Sequence, residues 1–165
     1  MKIKNGFTLV ELMVVIAVIS ILTMYAVPAF KVSLVNNRLI GETTNLTSML
    51  NLARTESLRR NDYVSMCPSS NGTSCSGTDY SIGSVVFSDP LNTGLLSSTQ
   101  VIRVFNQFPS PQDKGKGISK ITFSPVGAIN YGNILICTPN YDYYSIIIGL
   151  DGSIQKNKNT GDGGC

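Results

Sequence analysis

A chain of 165 residues has room for one domain and an appendage, which excludes multi-domain schemes. It contains no histidine, so the usual general base near neutral pH, the Ser/His and Cys/His dyads and the commonest metal ligand are all missing. The formal charge of +3 rests on 13 basic and 10 acidic residues, two of them Lys2 and Lys4 at the extreme amino end, which is not the strong basic excess of a dedicated nucleic-acid-binding domain.

Lys2 and Lys4 precede the run Phe7 to Phe30, in which 19 of 24 side chains are apolar. As a helix this run is about 36 Å long against a hydrocarbon core of about 30 Å, so it is expected to span a membrane. Its basic flank stays in the cytoplasm and everything after Phe30 lies on the other side. A cleaved secretory signal is the alternative, but such a signal has a shorter apolar core, and Val27-Pro28-Ala29-Phe30 is a poor cleavage site. Glu11 is an ionisable group within the run, costly unless it meets a partner or reaches headgroup water. Pro28 lacks an amide proton and clashes with the carbonyl four residues back, which predicts a kink near residues 24–28 or a stop between two helices.

From Lys31, apolar residues recur at Val32, Val35, Leu39, Leu46, Leu50 and Ala53, with Thr43 filling the gap. That spacing predicts an amphipathic helix over 31–61 that continues the membrane segment and lays its stripe on a sheet. Gly41 costs up to about 1 kcal/mol there and permits a bend. Arg54, Arg59 and Arg60 gather at the helix end, where cations favour the dipole; an interaction patch is the alternative. Beyond it, β-rich runs at Tyr63–Cys67, Tyr80–Phe87, Gln100–Phe105, Ile118–Ser124, Asn133–Thr138 and Tyr143–Gly149 alternate with turn signals such as Asp89-Pro90 and Asp151-Gly152. The fold class is therefore α+β, one helix packed on antiparallel strands. Residues 155–164 are polar and glycine-rich and are assigned no strand.

Cys67, Cys75, Cys137 and Cys165 all follow the apolar run, on the side where oxidation is expected, and four cysteines allow three pairings. The favoured one joins Cys67 to Cys75 around the Ser69–Ser74 turn and Cys137 to Cys165, which ties a polar tail to a strand. A ring of about 29 residues would stabilise by about 3 to 4 kcal/mol on the chain-entropy account. A zinc site is the competing reading and lacks CxxC spacing or histidine.

The hexapeptide Gly6-Phe7-Thr8-Leu9-Val10-Glu11 resembles the processing site of type IV pilins and pseudopilins. The resemblance implies a leader, residues 1–6, that the prepilin peptidase removes by cutting after Gly6, followed by methylation of the new amino terminus at Phe7. It sets Glu11 at the fifth mature position, where pairing with the Phe7 amine of a neighbouring subunit fixes axial register, and Pro28 at the position of the family's helix kink. The domain scheme is then a leader (1–6), a transmembrane and assembly helix (7–30) and an extracytoplasmic head (31–165), in the type IV pilin fold.

Leu52–Arg60, Val64–Cys67, Gly83–Asp89 and Ile121–Gly127 resemble a narrower branch, the GspH/FimT/FimU group of minor pilins and pseudopilins. Tyr80 stands where that group usually has a tryptophan, and either aromatic can fill a core. The FimT branch is associated with DNA binding through a Gly-Arg-x-Arg pattern, for which this chain has Gly152-Ser153-Ile154-Gln155. The missing arginines favour FimU. Lys156 and Lys158, and a second cluster of Lys114, Lys116 and Lys120, remain candidate phosphate contacts, with solvated loop lysines the plainer reading. The resemblance implies a minor pilin held in the inner membrane with a periplasmic head, then carried into the pilus, where it primes assembly or sits at the tip. Its partners would be other minor pilins, the major pilin and the inner-membrane assembly platform. A DNA-binding minor pilin and a type II secretion pseudopilin are the alternatives; no residue constellation supports an enzyme or a cofactor.

Overall fold

The computed structural model describes residues 8–96, 100–127, 129, 131–161 and 164. Helix α1 runs unbroken over Leu9–Arg60, 52 residues. Thr8 caps its start, its hydroxyl accepting the Glu11 amide at 3.2 Å. Pro28 lies inside α1 and does not end it, so the reading of a stop between two helices is overturned. Packing divides the chain into two compact units, one ending at Val35 and one beginning at Asn36. In the first, the apolar side chains from Leu9 to Phe30 stand exposed, as an 18-residue window with mean hydropathy 2.4 requires of a segment built for lipid.

The second unit is built on α1 from Leu39 onward and two antiparallel sheets. The first sheet has the order β3-β2-β1-β5: β1 (Val64–Pro68) is flanked by β2 (Ser84–Ser88) and β5 (Ile121–Phe123), with β3 (Val101–Phe105) outside β2. Every residue of β1 is buried, because Met66 pairs with Val86 on one side and Ile121 on the other. The second sheet has the order β4-β6-β7-β8, formed by β4 (Lys114–Lys116), β6 (Gly132–Cys137), β7 (Tyr143–Ile148) and β8 (Ile154–Asn159). Ile134 faces Ile146 across β6 and β7, and both are fully buried; cross-strand pairs of this kind hold a sheet together. The helix stripe closes the core with Leu39, Leu46, Met49, Leu50 and Ala53, and the Ser84 hydroxyl reaches Met49 Sδ at 3.3 Å.

Two expectations are corrected here. Tyr80–Ile82 is a turn of 3-10 helix capped by Asp79, which accepts the Ser81 amide at 2.9 Å, and the strand begins only at Ser84. The first part of the stretch 155–164, read as polar and assigned no strand, forms edge strand β8 together with Ile154, and the unexpected β4 forms the opposite edge.

Candidate functional site

The processing residues Gly6 and Phe7 lie outside the described residues. Glu11 sits in the first turn of α1, where a carboxylate favours the helix dipole, and its amide is held by Thr8. The first part of α1 is thus a helix that presents apolar side chains all round and one acid near its amino end.

Cys67 and Cys75 form a disulfide, Cα–Cα 5.6 Å, as expected. The loop it closes is knit by Asn71, whose Oδ1 accepts the amides of Thr73 at 2.9 Å and Ser74 at 3.0 Å. Cys137 is buried at the end of β6, and its expected partner Cys165 lies outside the described residues. Among the described residues no group of three or more His, Cys, Asp or Glu could hold a metal.

The basic side chains are largely spoken for. Lys158 pairs with Asp142 at 3.0 Å, and that hydrogen bond raises its pKa. Lys116 donates to the Gly164 carbonyl at 2.7 Å, and Lys120 lies 3.6 Å from buried Asp89. Arg59 forks onto Glu56 through Nε at 3.0 Å and Nη2 at 2.7 Å, Arg60 adds a single bond from Nε at 2.7 Å, and these hydrogen bonds pull the Glu56 pKa down to about 2. Arg54 donates to the Asp151 carbonyl at 3.1 Å. Lys156 stands exposed on β8. Of the two proposed lysine clusters, neither forms a continuous unpaired basic surface.

Sequence reasoning missed a part-buried ionic clamp. Arg38 donates to Asp113 through Nε at 2.6 Å and Nη2 at 2.9 Å, and Thr138 donates its hydroxyl to the same, fully buried carboxylate. Arg38 and Asp113 are 75 positions apart, so no local pattern could have joined them.

A long apolar-to-amphipathic helix that ends on antiparallel sheets, with an acid in its first turn, is the architecture of a type IV pilin or pseudopilin. The profile of the family described as Type II transport protein GspH matches residues 42–152, and the prokaryotic N-terminal methylation motif matches residues 1–27. The chain belongs to the GspH family, a family of structural pilins and pseudopilins. It shares its fold with the Pseudomonas aeruginosa type IV minor pilin FimU. In one crystal form of that protein the TM-score is 0.60 at 18% identity, covering 79% of this chain and 92% of FimU. In a second form it is 0.58 at 19%, covering 72% and 92%. The methylation motif implies processing by prepilin peptidase and assembly with other pilins, and with the apolar helix it marks a membrane-anchored precursor.

Proposed function

We propose that the chain is a minor type IV pilin, cut after Gly6 and methylated at Phe7, that primes pilus assembly or occupies the pilus tip by packing with other minor pilins. The observation that carries this reading is the unbroken helix Leu9–Arg60, apolar and uncovered through its first part and joined without a break to a folded head. Apolar side chains that leave lipid need another cover, and the helices of neighbouring subunits supply one. Glu11 is the only charge in the apolar run, and its pairing with a neighbour's Phe7 amine would fix the axial step. The periplasm holds the head before assembly. Deletion of the gene should abolish surface pili, and re-expression should restore them, whereas Glu11→Ala should be processed normally yet fail to restore them. Normal piliation after deletion would sink the proposal.

The description of the matching family favours one second reading, a pseudopilin of type II secretion. Under it, deletion stops export of secreted proteins while pili remain intact. The DNA-uptake reading has less support, because Lys158 is neutralised by Asp142 and both FimT-type arginines are missing.

A further inference from the structure

Between the loop closed by Cys67–Cys75 and the outgoing end of β3 lies an open cleft of about 400 Å³. Loop residues Ser69 to Gly72 make one wall and Val104 to Gln107 the other, with Ile82 of the 3-10 turn between them. Both walls are fastened to that turn. Ser69 donates its amide to the Gly83 carbonyl at 3.0 Å, and Phe108 donates to Ser81 at 2.8 Å. Gly83 has φ 109°, and a Cβ there would stand 2.7 Å from the Ser69 carbonyl oxygen and 2.8 Å from that of Phe105, so only glycine lets the two backbones come this close. The disulfide and the Asn71 hydrogen bonds hold the loop wall in place, and walls fixed beforehand cost a ligand little ordering entropy.

The groups left to face a ligand are selective. Ser70, Asn106 and Gln107 line the cleft, and their side chains make no hydrogen bond among the described residues. None of the residues lining this cleft is ionisable, and Val104 and Ile82 supply apolar surface beside the amides, while the Phe105 ring lies under the Arg103 guanidinium at 5.4 Å. A carboxamide offers a donor and an acceptor in one plane, which suits adjacent hydroxyls. A wholly apolar ligand would strip water from the amides without replacing it. Gln107 and Ile82 also line an adjoining cleft of about 390 Å³ that runs along Pro109-Ser110-Pro111 to Lys114.

We propose that this cleft is a carbohydrate-binding site: one neutral sugar sits between Ser70 and Gln107, its ring carbons against Val104 and Ile82, and a linked sugar continues past Gln107 into the second lobe. The proposal does not depend on the role in pilus assembly. The full-length chain, held in a detergent without sugar headgroups, would be titrated with lactose, maltose and chitobiose and followed by saturation-transfer NMR. At least one disaccharide should bind saturably with a Kd on the order of 1 mM. The double variant Asn106→Ala/Gln107→Ala should weaken that binding by about tenfold or more, with an unchanged unfolding midpoint because both side chains are exposed. No saturable binding of any of the three up to about 20 mM, or binding that survives in the double variant, would overturn the proposal.

Discussion

Asp113 concentrates more of the head's polar energetics than any exposed charge, since it is fully buried and answers both Arg38 and Thr138. Removing one partner of such a pair leaves the other desolvated and unpaired. Arg38→Ala, which strands the fully buried Asp113 carboxylate, should therefore lower unfolding free energy by about 3 kcal/mol in urea titrations of the oxidised head. Glu42, one helical turn beyond Arg38, behaves oppositely. Burial raises its pKa above 4.5, the Asp113 charge adds to the rise, and Arg38 and a hydrogen bond with Asn45 oppose it. A carboxyl that holds its proton more tightly in the folded state favours folding below its unfolded value, and that contribution is lost as pH rises through the folded one. Glu42→Gln keeps the shape without the charge. It should raise the melting temperature at neutral pH and change it little below pH 4.5, and an equal shift at both pH values would count against this account.

The turns and edge strands show why some elements were legible in the sequence and others were not. Alternation and β-branched runs marked β1, β6 and β7, whose residues pack inward from both sheets. By contrast, β4 reads Lys-Gly-Lys, and its glycine answers a tertiary demand: a Cβ on Gly115 would meet Tyr80 at 3.0 Å, and one on Gly117 just beyond would do the same. Tyr80 is fully buried and donates its hydroxyl to the Ile118 carbonyl at 3.0 Å, so the aromatic filling of the core was foreseeable while the glycines around it were not. Strand β8 carries Lys156 and Lys158, charges that keep an edge from pairing with other chains and that hide it from hydrophobic pattern. At the β7–β8 turn, Gly152 has φ 76°, and a Cβ would lie 2.1 Å from the Gly127 carbonyl oxygen. Gly152→Ala should destabilise the head by about 2 kcal/mol or more, because two turns would have to separate; an unchanged urea midpoint would refute this. The leader motif was readable because a peptidase reads it as linear sequence. The candidate sugar cleft was not, since its walls, Ser69–Gly72 and Val104–Gln107, are distant in sequence and are brought together by tertiary contacts, among them the turn at Tyr80–Gly83.

Much of the head's charge among the described residues is held in pairs, and this governs what it can bind. Counterion release needs several free cations along one face. The oxidised head, residues 31–165, should show no tight binding to duplex DNA even at low salt, and Lys156→Ala/Lys158→Ala should change little; steep salt-dependent binding lost in that variant would restore the DNA-uptake reading. The Arg38–Asp113 clamp has a mechanical meaning as well. Tension that reaches the second unit along α1 enters at Asn36, and two residues later it meets a side chain bolted across to the loop before β4. The clamp thus stands first in the load path, ahead of the hydrophobic stripe that starts at Leu39, so a filament under pull would strain an ionic fork before it began to peel the helix from its core.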